Sequence, residues 1–324
     1  MPFQTFSRIF HKAIRFLKSM KSKISFLIFL VCVSLHAEII TVAAYNVDNF
    51  CLEDRMIDGV FRQKYPKPEA EKAALVAVIK AANADVLAIE EMGTQEFLDE
   101  LLGRLKAAGV DYPYHTLMLG GDPYRHLAIL SKKKFETRHF GDLTFNYEGR
   151  RAEVLRGLME VSFTTPEGKT WQMFSVHLKS RISKDVMDEE SEGYRIGEAT
   201  AIREQILEIE NNIGVSPQTP GNFIVVGDFN DEPRSAALKR FLVKGKRTLT
   251  IMTNPVDSRG EEWTHHWALH GSFSRIDYIL TSPAMAPAIV PGSPKIIDIP
   301  ESTIGSDHRP VVAQIDTEKI GGGR

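Results

Sequence analysis

The sequence predicts an α/β fold: two β-sheets packed face to face as a sandwich, with flanking helices. Three observations predict it. Short apolar or β-branched runs alternate with helical patterns along the chain. No linker, low-complexity block or fixed-period repeat interrupts them. Several of the apolar runs end on acidic, amide or imidazole side chains. The composition, 43% hydrophobic and 25% charged over 324 residues, is globular and supplies enough material for one large core or two smaller ones.

The first 37 residues stand apart. Arg8, Lys12, Arg15, Lys18, Lys21 and Lys23 precede the apolar run "ISFLIFLVCVSLHA", which reads as an export signal cut near Ala37. Met20 opens a more compact version of the same signal. The run is too short to span a bilayer comfortably; Leu35, close to the cut, keeps an uncleaved anchor as the alternative. Cleavage places the protein in the periplasm or outside the cell, with no transmembrane span. It removes six basic and no acidic side chains, leaving 34 Lys and Arg against 42 Asp and Glu, a net charge of −8. That charge excludes strong electrostatic binding to duplex DNA. Cys51 is then the only cysteine, which excludes an intrachain disulfide and a thiolate zinc site.

Residues 39–47, "IITVAAYNV", read as a strand, 67–84 as a helix and 85–91 as a buried strand. A second helix spans 94–109, between Thr94 as cap and Gly109 as stop. From 113 to 180 the texture is strand and turn, with "HLAILS", "EVLRGLMEVSFTT" and "TWQMFSVHL" as strands. Residues 193–213 return to helix; "NFIVVGDFN", "SFSRIDYILTS" and "RPVVAQID" return to strand. Together they predict one domain over 38–318 and a flexible tail over 319–324.

The strand ends carry the chemistry. "FIVVGDFNDEP" stops an apolar strand on Asp228, Asn230 and Asp231. "VAAYNVDNF" ends on Asn46, Asp48 and Asn49, and "VLAIEEM" on Glu90 and Glu91. "MFSVHLKSR" presents His177, Lys179 and Arg181, and "GSDHRPVV" opens on Asp307 and His308. Each alone has a structural reading as a cap, a turn or a hydrogen-bonded core histidine. Asp277, inside "SRIDYIL", resists it, because a buried unpaired carboxylate is costly. Arg275 shares its face by alternation and is its alternative partner. Together the oxygens suit a hard ion, Mg²⁺ or Mn²⁺, and two histidines can move protons near neutral pH. Such a set suits attack of water on a phosphate ester.

The ordered motifs "YNVDNF", "AIEEM", "VHLKSR", "GDFND", "RIDYIL" and "SDHRPV" resemble the endonuclease/exonuclease/phosphatase superfamily, over about Ile39 to Ile315. The resemblance implies the deoxyribonuclease-I-like fold, a four-layer α/β/β/α sandwich. It implies that Asn46, Glu91 and Asp307 serve the metal, and that Asp228 orients or deprotonates the water. Asn230 steadies the phosphate, His308 contacts it or transfers a proton with Asp277 holding its ring, and His177 is the second histidine there. The family shows Gln-Glu where this chain has Glu90-Glu91, so either acid can be the ligand; alignment favours Glu91. No carboxylate partner for His177 stands out. Arg125, Lys179 and Arg181 are candidate phosphate contacts, with Arg150 and Arg151 added for DNA.

These readings imply an exported, metal-dependent phosphodiesterase, foremost a nuclease on DNA or RNA, with no obligate protein partner. The alternative on the same core is a phosphatase or a sphingomyelinase-like hydrolase of phospholipids or inositol phosphates. A non-catalytic binding module is disfavoured because every motif residue is present. In "WTHHWALHG" the adjacent His265 and His266 point to opposite faces of a strand. The segment reads as strand and turn near the site, without a metal role. "SKKKF" reads as a solvated turn.

Overall fold

A computed structural model describes residues 38–212 and 221–321. The leader, its cut near Ala37, and the last three residues of the predicted tail lie outside the described residues. Of the rest of that tail, Lys319 and Gly321 are exposed and Ile320 is buried. A turn at Thr317–Lys319 brings the chain back, and Ile320 is fully buried in the core between the sheets. The glycine run behind the expectation begins one residue later, and Ile320 gains from leaving water.

Two six-stranded sheets form the centre. The first runs in the order Lys295–Ile296, Val311–Asp316, Ile39–Phe50, Val86–Met92, His126–Ser131, Tyr114–Met118. The second runs Ile251–Met252, Asp277–Thr281, Phe223–Asp228, Thr170–His177, Leu158–Thr164, Glu136–Phe140. Each is mixed: Ile39–Phe50 lies parallel to Val86–Met92, and Thr170–His177 parallel to Phe223–Asp228. The other pairings in both sheets are antiparallel.

Side-chain alternation builds the layers. Val42, Ala44, Val86 and Ala88 of the first sheet meet Met173, Ile224, Val226 and Ile279 of the second. The intervening Ala43, Tyr45, Leu87 and Ile89 face the opposite way and pack under two helices, Glu69–Ala82 and Gln95–Ala107. Those helices bury Leu75, Val78 and Ile79, and Leu98, Leu101 and Leu105, at the spacing of one helical face. On the other side Phe174, Phe223 and Val225 pack against Glu192–Asn212 and Ala236–Leu242. The result is the predicted four-layer sandwich.

Two predicted strands are divided. In "EVLRGLMEVSFTT" the chain turns between Glu153 and Leu158, so Arg150–Glu153 pairs with Thr144–Tyr147 in a separate hairpin. In "SFSRIDYILTS" the break falls at Arg275 and Ile276. There the buried Thr264 hydroxyl accepts the N–H groups of Ile276 and Asp277, at 3.0 and 3.1 Å. Ser272–Ser274 pairs instead with His265–Trp267, and this hairpin stands beside the strand that carries Asp277. Among the described residues no helix is long and apolar enough to cross a membrane.

Candidate active site

Register gathers the predicted residues. On the second sheet His177 lies opposite Asp228, and Asp228 opposite Asp277, so three adjacent strands present one row. On the first sheet Asn46 lies opposite Glu90. The alternation that sends Val42, Ala44, Val86 and Ala88 into the space between the sheets sends Asn46 and Glu90 there too. Glu91 should then point away. It is redirected by a bulge that shifts the pairing between Ile89 and Met92, and by its own left-handed backbone, φ 63°. Asp48, Asn49 and Asn230 also have positive φ, so four non-glycine residues around one pocket carry this strain. Gly227 is required for a different reason. Its φ is 132°, and a Cβ there would lie 2.0 Å from the Val176 carbonyl oxygen, blocking the approach of the strands bearing His177 and Asp228.

His308 Nδ1 lies 2.9 Å from Asp277 Oδ2 and 3.2 Å from Oδ1. Arg275 does not compete for Asp277: its guanidinium bonds to the Thr253 carbonyl and lies 3.5 Å from Glu262. The His308 ring therefore presents Nε2 to the pocket, 3.8 Å from both Asp228 Oδ2 and Asp307 Oδ1. Asp228 is held by three donors: Asn46 Nδ2 at 3.1 Å, Asn230 N at 2.7 Å and Asn230 Nδ2 at 3.1 Å. Asn230 Nδ2 also donates to the Leu178 carbonyl at 2.9 Å. Its amide thus bonds to both Asp228 and the Leu178 carbonyl. His177 Nε2 lies 3.5 Å from Asp228 Oδ2 and 3.8 Å from Glu91 Oε1. Its Nδ1 is buried without a partner among the described residues.

Burial and neighbouring charges set the protonation states. Burial pushes the Asp228 carboxyl up to about 7; His308 opposes that push and Asp277 adds to it. Burial disfavours the His308 imidazolium, but the carboxylates of Asp277 and Asp228 outweigh it and hold its pKa well above the ordinary value. Burial and then the Arg156 charge hold His177 well below the ordinary value, so it is neutral. Two buried histidines thus sit on opposite sides of their usual pKa, and such splitting is a signature of functional sites.

The donor set fits a hard divalent ion. Glu91 Oε2 accepts the Asn49 N–H at 3.0 Å, while its Oε1 lies 3.8 Å from His177 Nε2; Asn46 Oδ1 accepts the Asp48 N–H at 2.9 Å. Glu90 is fully buried and neither of its oxygens has a partner among the described residues. Burial, then Asp277 and Asp228, push it well above the usual carboxylate range. A buried carboxylate lacking a cation is costly, and a bound Mg²⁺ or Mn²⁺ offsets that cost. Asp307 is grouped with His265 and His308, their ligand atoms all within 4.8 Å of one another.

The expected phosphate contacts divide. Arg125 reaches the acidic wall, with Nε 3.9 Å from Glu91 and Nη2 3.4 Å from Glu53. The Lys179 ammonium is turned onto its own loop, bonded to Ser180 and the Ile182 carbonyl. Arg181 lies 3.4 Å from Asp231 and from Glu232. Arg150 and Arg151, on the separate hairpin, bond to Glu148 and Thr144.

Two residues of this pocket escape sequence reasoning. Arg156 is buried, bonded through Nη2 to Asp122 at 2.9 Å, and its Nε and Nη1 have no partner among the described residues. Its signal, an arginine amid the apolar "VLRGLMEV", is the same one that marks Asp277. His265 comes within 3.4 Å of Asp307 through Nε2. Alternation correctly sends His265 and His266 to opposite faces, but only the tertiary fold shows what the first one meets.

A sequence model of the Endonuclease/Exonuclease/phosphatase family matches residues 43–308. No curated protein sequence matches the chain. Among solved structures it is similar to the human Nocturnin catalytic domain with bound sulfate anion, at 17% identity, covering 85% of this chain and 93% of that one with TM-score 0.57. It is similar to sphingomyelinase C from Streptomyces griseocarneus, at 17% identity, covering 86% and 99% with TM-score 0.56. A Staphylococcus aureus beta toxin mutant with bound magnesium ions also matches at 17% identity, covering 85% and 99% with TM-score 0.56. At these identities the likeness is one of fold.

Proposed function

The chain belongs to the endonuclease/exonuclease/phosphatase family, whose members are phosphoric ester hydrolases, and on that premise we propose that it is a metal-dependent phosphodiesterase that attacks phosphorus in line with water. The observation that carries this reading is the row His177, Asp228, Asp277, with His308 fixed on Asp277, Asn46 Nδ2 bonded to Asp228 and Glu91 Oε1 3.8 Å from His177. Glu91, with Asn46 and Asp307, would hold Mg²⁺ or Mn²⁺, which would supply charge neutralisation at the phosphate. Asp228, with its pKa near 7 and its orientation set by Asn46 and Asn230, takes a proton from the attacking water. His308 Nε2–H donates to the phosphate or the leaving oxygen, while Asp277 fixes tautomer and ring angle. The unpartnered N–H groups of Arg156 and the neutral His177 bind phosphate oxygens, and Arg125 adds charge at the metal end.

A nucleic-acid phosphodiester is the substrate proposed first. Tyr124, and Trp267 and Phe273 on the hairpin that carries His265, are exposed aromatic side chains on which bases can stack without strong electrostatic binding. A phospholipid is the second reading, favoured by the exposed apolar side chains Ile182, Val186, Met187 and Leu269. Plasmid DNA, single-stranded DNA, RNA, bis-p-nitrophenyl phosphate, sphingomyelin and an inositol phosphate, each with Mg²⁺ or Mn²⁺, test both. Cleavage of bis-p-nitrophenyl phosphate alongside a nucleic acid is expected; hydrolysis of sphingomyelin alone selects the second reading. Inertness toward all six with either metal overturns the proposal. Export follows from the leader, and intact-mass analysis of protein from the host's periplasm or medium should find a chain beginning near Glu38. Full-length protein confined to the cytoplasm contradicts it.

A further inference from the structure

We propose that His265, Asp307 and His308 form a second metal site, separate from the oxygen-lined end at Glu91, that takes a borderline divalent ion such as Zn²⁺, Co²⁺ or Ni²⁺. The hairpin of residues 264–274 brings it about. His266 stacks on Phe273, with ring centroids 4.4 Å apart, while His265 crosses to the pocket and pairs with His308 in an isolated β-bridge. Two backbone bonds lock that register: His266 N to the Asp307 carbonyl at 2.9 Å, and Arg309 N to the Thr264 carbonyl at 2.7 Å. Both rings then turn Nε2 toward one carboxylate. His265 lies 3.4 Å from Asp307 Oδ2 and His308 lies 3.8 Å from Asp307 Oδ1. The three ligand atoms all fall within 4.8 Å of one another.

The outer partners are in place as well. A metal-binding histidine usually has its other ring nitrogen engaged, which fixes the ring and its tautomer. His308 Nδ1 is held by Asp277 at 2.9 Å, and His265 Nδ1 lies 3.4 Å from Ser274 Oγ. Two imidazoles and one carboxylate favour Zn²⁺, Co²⁺ and Ni²⁺, whereas Mg²⁺ prefers oxygen alone. Asp307 is half exposed, which gives an ion a path in. An ion held here occupies His308 Nε2, the atom that faces Asp228. Zn²⁺ therefore inhibits even when Mg²⁺ saturates the Glu91 end.

Co²⁺ titrated into the full protein in excess Mg²⁺, followed by visible absorption and calorimetry, tests the site without reference to turnover. The expected result is one Co²⁺ per chain, with nitrogen–oxygen ligand-field bands that more Mg²⁺ does not displace. His265→Gln and Asp307→Asn should each weaken binding at least about tenfold, the low end of the loss seen even for outer-shell partners. His266→Gln should bind as the parent does. Melting curves check that each variant is folded, and the half-exposed Asp307 provides a second variant should His265→Gln fail to fold. Co²⁺ that binds only where Mg²⁺ competes, or that binds His265→Gln with unchanged affinity, overturns the proposal.

Discussion

The two ends of the pocket differ in how their polar groups are satisfied. At the histidine end His308 is clasped by Asp277, Asp307 by His265, and the neighbouring Arg309 by Asp257, with Arg309 Nε buried without a partner among the described residues. At the carboxylate end both Glu90 oxygens, Asn49 Oδ1 and His177 Nδ1 are buried without partners among the described residues. Buried polar groups are normally paired, so the second end is incomplete as a polypeptide. Under the proposed function, a cation and a phosphate would complete the second end.

Removing the cation should therefore have the largest effect. Turnover should vanish in EDTA and return with Mg²⁺. Glu91→Gln should lower it by about three orders of magnitude or more, since a metal contributes several kcal/mol to the transition state. Full activity after exhaustive chelation would mean that the unpartnered groups have another purpose. At the histidine end, His308→Ala should cost roughly two to four orders of magnitude, the range for a placed proton donor. Asp277→Asn should also slow turnover greatly while the melting transition stays near that of the parent. Because the pair acts as a unit, the double variant should be little worse than His308→Ala alone. Losses that multiply would assign the two residues independent roles.

What was legible in the sequence follows the same division. The apolar periodicities predict the sandwich, because alternation and helical spacing are local properties that packing then obeys. Asp228, Asp277 and His308 are legible because charge inside an apolar strand needs a partner. Glu90 and Glu91 are not separable by alternation, since a bulge and one left-handed residue turn Glu91 around and bring both to the pocket. Lys179 looks like a phosphate contact until its loop folds the ammonium back on itself. Arg156 and His265 depend on which strands become neighbours, information carried by tertiary contacts 34 and more residues away in sequence, as with Asp122 and Arg156.

The partnered end should also be the one that acid undoes. Asp257 and Arg309 are both buried, 2.8 Å apart, with the Arg309 guanidinium 3.2 Å from the Trp263 ring centre. Burial would raise the Asp257 pKa, but the Arg309 bond and the N–H groups of Glu261 and Arg259 hold it well below the usual carboxylate range. A depressed pKa means stability that is fully present above the unfolded value, about 3.9, and lost as pH falls through the folded one. Asp257→Asn should cost about 3–5 kcal/mol at pH 7, the usual loss on breaking a buried pair. The gap from the parent should narrow only in strong acid. A gap independent of pH down to the acid transition would remove charge from the explanation.

The smallest effect should come from Glu90, and its sign distinguishes the two ends most sharply. At a partnered position, replacing a buried acid removes something that helps. Glu90 has no cation or donor among the described residues, and its neighbours Asp228 and Asp277 are acids. Glu90→Gln keeps the shape and removes the cost of holding an acid protonated above its unfolded pKa, so without metal at neutral pH it should raise stability, by about 1–3 kcal/mol on the scale of an unsatisfied buried polar group. A metal that binds only the folded state adds RT ln(1 + [L]/Kd), about 2.7 kcal/mol at a hundred times Kd. Part of that gain in the parent is relief of Glu90, so the Mg²⁺-induced rise in melting temperature should shrink in Glu90→Gln. Both quantities come from melting curves with EDTA and with Mg²⁺. A metal-free variant less stable than the parent would show that Glu90 is satisfied in solution, and the contrast between the two ends would then rest on Glu91 and His177 alone.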